Sequence, residues 1–159
     1  MTAQQQLQHR LDLETKIIDF IQSHWNVESI RTQQSKFCPV DFFMTKDKQV
    51  RAICEVRTRA DRYEDVQKWG GMFLNYRKLS KALDMSQHLQ LPFLFIAYFM
   101  QDNLLVYWKI TDDSGLIQVD MILTSRSAQD NIEGGNDKKR VRNLVMIKTE
   151  PILIKKVRF

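Results

Sequence analysis

Two carboxylates and a cation lie close together in the stretch P-V-D-F-F-M-T-K-D-K-Q-V-R-A-I-C-E-V-R-T-R: Asp41, then Glu55, Val56 and Arg57 fourteen residues further on. Set side by side on adjacent strands, Asp41 and Glu55 could hold a divalent metal against a phosphodiester, with the arginine next to them. Arginine stays protonated and presents a fixed planar fork. Arg57 therefore suits holding a phosphate or offsetting transition-state charge, and does not suit taking a proton from water. The plainer readings are a pair of surface carboxylates on a hairpin and an Arg57–Glu55 ion pair, a pairing that Arg59 could equally provide. Against the first, both acids interrupt apolar runs, V-D-F-F-M and A-I-C-E-V, where an uncompensated charge is costly.

These residues need a hairpin to bring them together. V-E-S-I-R-T, P-V-D-F-F-M-T and V-R-A-I-C-E-V-R-T read as three β-rich segments, the last two joined through the polar K-D-K. A loop centred on Lys48 makes paired positions sum to 96 and sets Asp41 opposite Glu55 on one face. A loop centred half a residue earlier puts the two on opposite faces, so an odd loop is expected. Before the hairpin, Leu7, Leu11, Leu13, Ile17, Ile18, Phe20 and Ile21 recur at helical spacing between Gln5 and His24. After it, Val66, Trp69, Phe73, Tyr76, Leu79 and Leu83 predict one long helix from Asp61 to about Leu89, weakened locally by Gly70-Gly71. Trp69, Phe73 and Tyr76 could form a base-stacking platform, but that spacing is more usual for core residues. F-L-F-I-A-Y-F and N-L-L-V-Y-W-K-I follow as neighbouring buried strands. L-I-Q-V-D-M-I-L-T, L-V-M-I and I-L-I-K-K-V are expected as extra strands, with a polar loop at 125–139.

The order α-β-β-β-α-β-β, with Asp on the second strand and Glu-x-basic on the third, resembles the PD-(D/E)XK, or restriction-endonuclease-like, nuclease superfamily. The resemblance covers roughly residues 11–110, and K-L-S-K-A-L-D-M-S-Q-H-L-Q-L-P-F-L-F-I-A-Y-F is similar to the helix, proline and buried strand that follow the motif in such nucleases. It implies an α/β fold with a mixed central sheet and C-terminal strands at 116–159. It makes Asp41 and Glu55 ligands of Mg2+ or Mn2+, the Val56 carbonyl a third ligand, and Glu14 an acid beside the metal. The metal would polarise the phosphate, help generate hydroxide and stabilise the leaving oxygen. Arg57 stands where the family usually has lysine. Arg59, Arg62 and Lys68 follow the motif where a nucleic-acid backbone would pass, and Gln67 starts the helix that lends a polar side chain to the site in relatives. As a plainer alternative, each of these four is a solvated surface group.

With 159 residues, 43% hydrophobic and 27% charged, the chain is expected to form a single domain spanning 1–159. Two cysteines, Cys38 and Cys54, exclude a disulfide scaffold, and His9, His24 and His88 have no ligand spacing. A polar N-terminus and a longest apolar run of only 91–100 point to a cytoplasmic protein without a membrane span. The net charge of +5 sits at the C-terminal end: residues 136–159 hold eight Lys/Arg and two acids, leaving 16 basic (24 − 8) and 17 acidic (19 − 2) before them. Such a tail suits phosphate contact or solubility. DNA is the expected partner, hydrolysed at its phosphodiester bonds. A second reading keeps the fold as a nucleic-acid-binding or assembly module without turnover, and a third uses the C-terminal strands as a protein surface, for example in a homodimer.

Overall fold

The computed structural model describes residues 1–32, 38–130 and 138–159, with backbone only at 125–130 and 138–142. Helix α1 (Ala3–Trp25) opens on a reciprocal cap: the Thr2 hydroxyl accepts from the Gln5 N–H while the Gln5 side-chain Oε1 accepts from the Thr2 N–H. Its buried stripe, Leu13, Ile17, Ile18 and Ile21, follows the helical period. Three strands come next, β1 (Glu28–Arg31), β2 (Phe42–Lys46) and β3 (Gln49–Arg59), then α2 (Tyr63–Trp69), β4 (Met72–Asn75) and α3 (Tyr76–Leu89). The chain continues through β5 (Phe93–Phe99), β6 (Leu104–Lys109), β7 (Met121–Asp130), β8 (Lys138–Ile147) and β9 (Ile152–Lys156).

The central sheet runs β1-β2-β3-β5-β6-β9 and is mixed, because β3 and β5 are parallel while the other neighbours are antiparallel. β5 is buried along its whole length, as its unbroken apolar sequence requires. Alternate residues feed two cores. Phe42, Cys54, Val56 and Ile96 pack under α1, whereas Ile53, Phe93 and Phe95 pack against α3 and a second sheet, β4-β8-β7, through Met72, Val145 and Ile147. Among the described residues no helix is long and apolar enough to cross a membrane.

Two expectations need correction. The span 61–89 is not one helix. Gly70, at φ +88, ends α2 in the left-handed region, and at Gly71 an added Cβ would collide with the Ile147 carbonyl oxygen, because β4 crosses there to pair with β8. Trp69 and Tyr76 are exposed rather than core, since the apolar period that links them spans a helix, a strand and a second helix. The loop expected at 125–139 is strand at both ends, since β7 runs to Asp130 and β8 starts at Lys138; 131–137 lie outside the described residues.

Candidate functional site

The hairpin reaches a sum of 96 at its base, but not through the expected odd loop, and the pairing ends before Asp41 and Glu55. The loop is even: Lys46 pairs with Gln49 across Asp47-Lys48, both at positive φ (52 and 62), the combination of a type I′ turn. Next to the turn, paired positions sum to 95. A bulge between Met44 and Thr45 leaves Arg51 unpaired, and from Met44↔Ala52 to Phe42↔Cys54 they sum to 96. Asp41 lies one residue beyond the end of β2. Its N–H donates to the Cys54 carbonyl at 2.9 Å, so Asp41 and Phe42 both stand over Cys54 and the regular pairing stops short of Glu55. The Asp41 side chain does not simply rise from a strand. Oδ2 accepts the Val56 N–H at 2.7 Å and so takes the ladder position that a backbone carbonyl would fill if β2 continued.

The expectation that Asp41 and Glu55 share one face is therefore corrected: Asp41 turns to the Val56 N–H and the α1 side, and Glu55 to the other side of the sheet. The Asp41 charge acts toward α1: together with burial, which is the larger effect, it raises the pKa of Glu14, and it adds to the desolvation that pushes the Cys54 thiol up. Glu55 is 4% exposed and lines a cavity of about 780 Å3 on the opposite, α3 side of the sheet, a cavity that neither Asp41 nor Glu14 lines. Arg57 links the two halves. Its guanidinium is 2.7 Å from Glu55 Oε1 and close enough to Glu14 to pull that carboxyl's pKa back down.

The same Glu55 oxygen takes a second cation, Lys78 Nζ at 3.0 Å, which sequence reasoning did not single out. Lys78 stands in the first turn of α3, where Asn75 Oδ1 caps the helix by accepting the Lys78 N–H. The available signal was N-Y-R-K-L-S-K following Gly70-Gly71: a capping Asn with two basic residues in the next turn reads as a new helix start aimed at an anion. Arg77 and Lys81 from the same helix and Arg59 from β3 also line the cavity, so five cations and one carboxylate share it, two of the cations in contact with Glu55.

The other expected residues are dispersed. Arg59 pairs with Asp61 at 2.6 Å. Exposed Arg62 donates from Nε to Gln101, and Lys68 is exposed near the end of α2. Gln67 also stands near that end and lines a separate small cavity beside Tyr63 and Glu150, so the helix that supplies a side chain to Glu55 is α3.

Among the described residues no cluster of three or more His, Cys, Asp or Glu could hold a metal. Mg2+ commonly takes one or two carboxylates and completes its shell with water and substrate phosphate, so that absence does not disqualify the pair. Asp41 and Glu55 are carboxylates of the kind a hard cation takes, but they act on different faces of the sheet, and no described arrangement brings both to one ion.

No curated protein and no solved structure matches the chain. A family model described as "Phage putative PDDEXK endonuclease" matches residues 4–147. That span runs from α1 through the Asp41–Glu55 hairpin to the end of β8, and over it this chain belongs to the PDDEXK endonuclease family.

Proposed function

We propose that the chain is a divalent-metal-dependent nuclease that hydrolyses phosphodiester bonds of DNA, working as one domain over 1–159. The observation that carries this reading is Lys78 at 3.0 Å from Glu55 Oε1, because it returns a lysine to a motif whose own basic position is Arg57. Asp41, Glu55 and the Val56 carbonyl are the ligands, with Glu14 behind Asp41. When bound, Mg2+ or Mn2+ supplies charge neutralisation and water activation at the scissile phosphate.

The chain's own groups do the rest. Val56 N–H fixes Asp41 by holding one carboxylate oxygen. Arg57 and Lys78 compensate Glu55 in the resting site and turn to the phosphate oxygens when substrate arrives, Arg57 as a fork and Lys78 as a compact charge. The lysine is the group able to exchange a proton with the attacking water or the leaving oxygen. Free Cys38 and Cys54 accord with a reducing, cytoplasmic setting.

The test is cleavage of single-stranded, double-stranded and branched DNA in Mg2+ or Mn2+ by the wild type beside Glu55→Ala and Lys78→Ala. Wild-type cleavage lost in both variants is expected. Cleavage nowhere, or undiminished in Glu55→Ala, would sink the proposal. The Arg57–Glu55 pair favours one alternative, a module that binds nucleic acid without turnover. It calls for salt-sensitive binding without metal, and activity appearing only in Arg57→Lys would favour it.

A further inference from the structure

Glu55, Arg57 and Lys78 occupy one part of the cavity, and the rest of its lining has two unlike walls. One is cationic. Arg77 and Lys81 have no ion-pair or hydrogen-bond partner among the described residues, and Arg59, although paired with Asp61, keeps a buried Nε with no acceptor. A buried guanidinium N–H without an acceptor asks for an explanation such as a bound anion. α3 adds to this, since its first turn holds Arg77 and Lys78 and no acid, against the preference of a helix start for negative charge. The other wall is apolar and only half-buried: Phe73 and Leu74 from β4 and Leu144 from β8.

An intact duplex presents phosphates outward and keeps its bases stacked inside. It would use the cations and leave the apolar wall wet. An unpaired nucleotide offers a phosphate and a base face together, and the cavity volume of about 780 Å3 falls in the range of roughly 300–1,000 Å3 that encloses a small ligand. Building on the nuclease reading, we propose that this cavity holds an unpaired nucleotide beside the bond to be cut. Arg59, Arg77 and Lys81 hold its phosphate, and Phe73, Leu74 and Leu144 support its base. The substrate is then single-stranded DNA, or the single-stranded part of a branched or frayed duplex.

The experiment is fluorescence anisotropy in EDTA, where no cleavage occurs, with three labelled probes of equal length: a thymidine strand, the same strand with abasic sites, and a hairpin duplex. A length of about 12 nucleotides lies within known single-strand site sizes. The thymidine strand should bind about tenfold or more tightly than the duplex. Arg77→Ala/Lys81→Ala should reduce the salt slope on it by about 1.4, the value for two lost single-strand phosphate contacts. Phe73→Ala should weaken thymidine-strand binding about five- to 140-fold, the range for one lost stacking contact, and leave abasic-strand binding unchanged; Leu144→Ala gives a second readout should Phe73→Ala fail to fold. Duplex binding as tight as single-strand binding, or equal losses on thymidine and abasic strands, would overturn the proposal. Single-strand binding without cleavage in Mg2+ or Mn2+ would remove the catalytic reading and leave this one standing, whereas cleavage confined to intact duplex would do the reverse.

Discussion

Replacing Lys78 with methionine should destabilise the protein more than replacing Glu55 with glutamine, although Glu55 is the buried partner. The Glu55 side chain is 6% exposed, against 30% for Lys78 and 40% for Arg57. Glutamine keeps the shape, offers a carbonyl to either cation, and leaves both cations able to turn toward water, so a change within about 0.5 kcal/mol is expected. Methionine leaves a buried carboxylate with Arg57 alone. At 3.0 Å the lost attraction is about 5 kcal/mol at an effective dielectric near 20. Solvent at the ammonium and the retained Arg57 discount it heavily. The net cost should fall between the roughly 0–1 kcal/mol of an exposed pair and the roughly 3–5 kcal/mol of breaking a fully buried one, at about 1–2 kcal/mol. For a chain of this size that lowers Tm by about 2–8 °C. Thermal unfolding followed by circular dichroism at neutral pH, low salt and without divalent ions reads both variants, and the double variant should recover most of the loss. If Glu55→Gln loses as much as Lys78→Met, the side chains hold together by packing and not by charge compensation of Glu55.

Three further outcomes are expected. Gly71→Ala should cost about 1–3 kcal/mol as an overpacked contact, because its Cβ would meet the Ile147 carbonyl and Met146; an unchanged Tm would show that β4 can shift away from β8. Asp47→Asn/Lys48→Gly should raise Tm by about 1–4 °C, since both positions have positive φ and the glycine removes left-handed strain. Glu14, with its pKa raised first by burial and then by Asp41, holds its proton more tightly folded than unfolded. As pH climbs from the ordinary glutamate value to the raised one, the unfolded chain releases its proton first and stability falls. Glu14→Gln should remove that fall from the pH dependence of the urea midpoint, and an unaltered pH profile would rule the account out.

Much of this fold is written in local patterns. α1, the three strands after it, β5 and β6 are visible as periodicity because one face or the whole of each is buried. What the pattern hides is non-local. Trp69, Phe73 and Tyr76 fit a helix at every step, and the strand between α2 and α3 exists because Met72–Asn75 pairs with residues 144–147, some seventy positions later. Missing that strand also hid the N-terminus of α3, and with it Lys78. Residue types drew attention to Asp41, Glu55 and Arg57, but no spacing rule reveals that the Asp41 carboxylate turns to the Val56 N–H, away from the face of Glu55. That depends on β2 ending one residue short of Asp41.

The bulge at Arg51 separates two properties that a hairpin usually ties together: how long its tip is, and which side chains face each other at its base. Without the bulge, any single-residue insertion or loss at the exposed tip would shift every pair at the base, Phe42↔Cys54 included. Because one unpaired residue in the ladder offsets one residue at the tip, a tip that lengthens by one can restore the register by losing the bulge. The tip of this hairpin is thus a place where the sequence can drift in length while Phe42 stays across from Cys54.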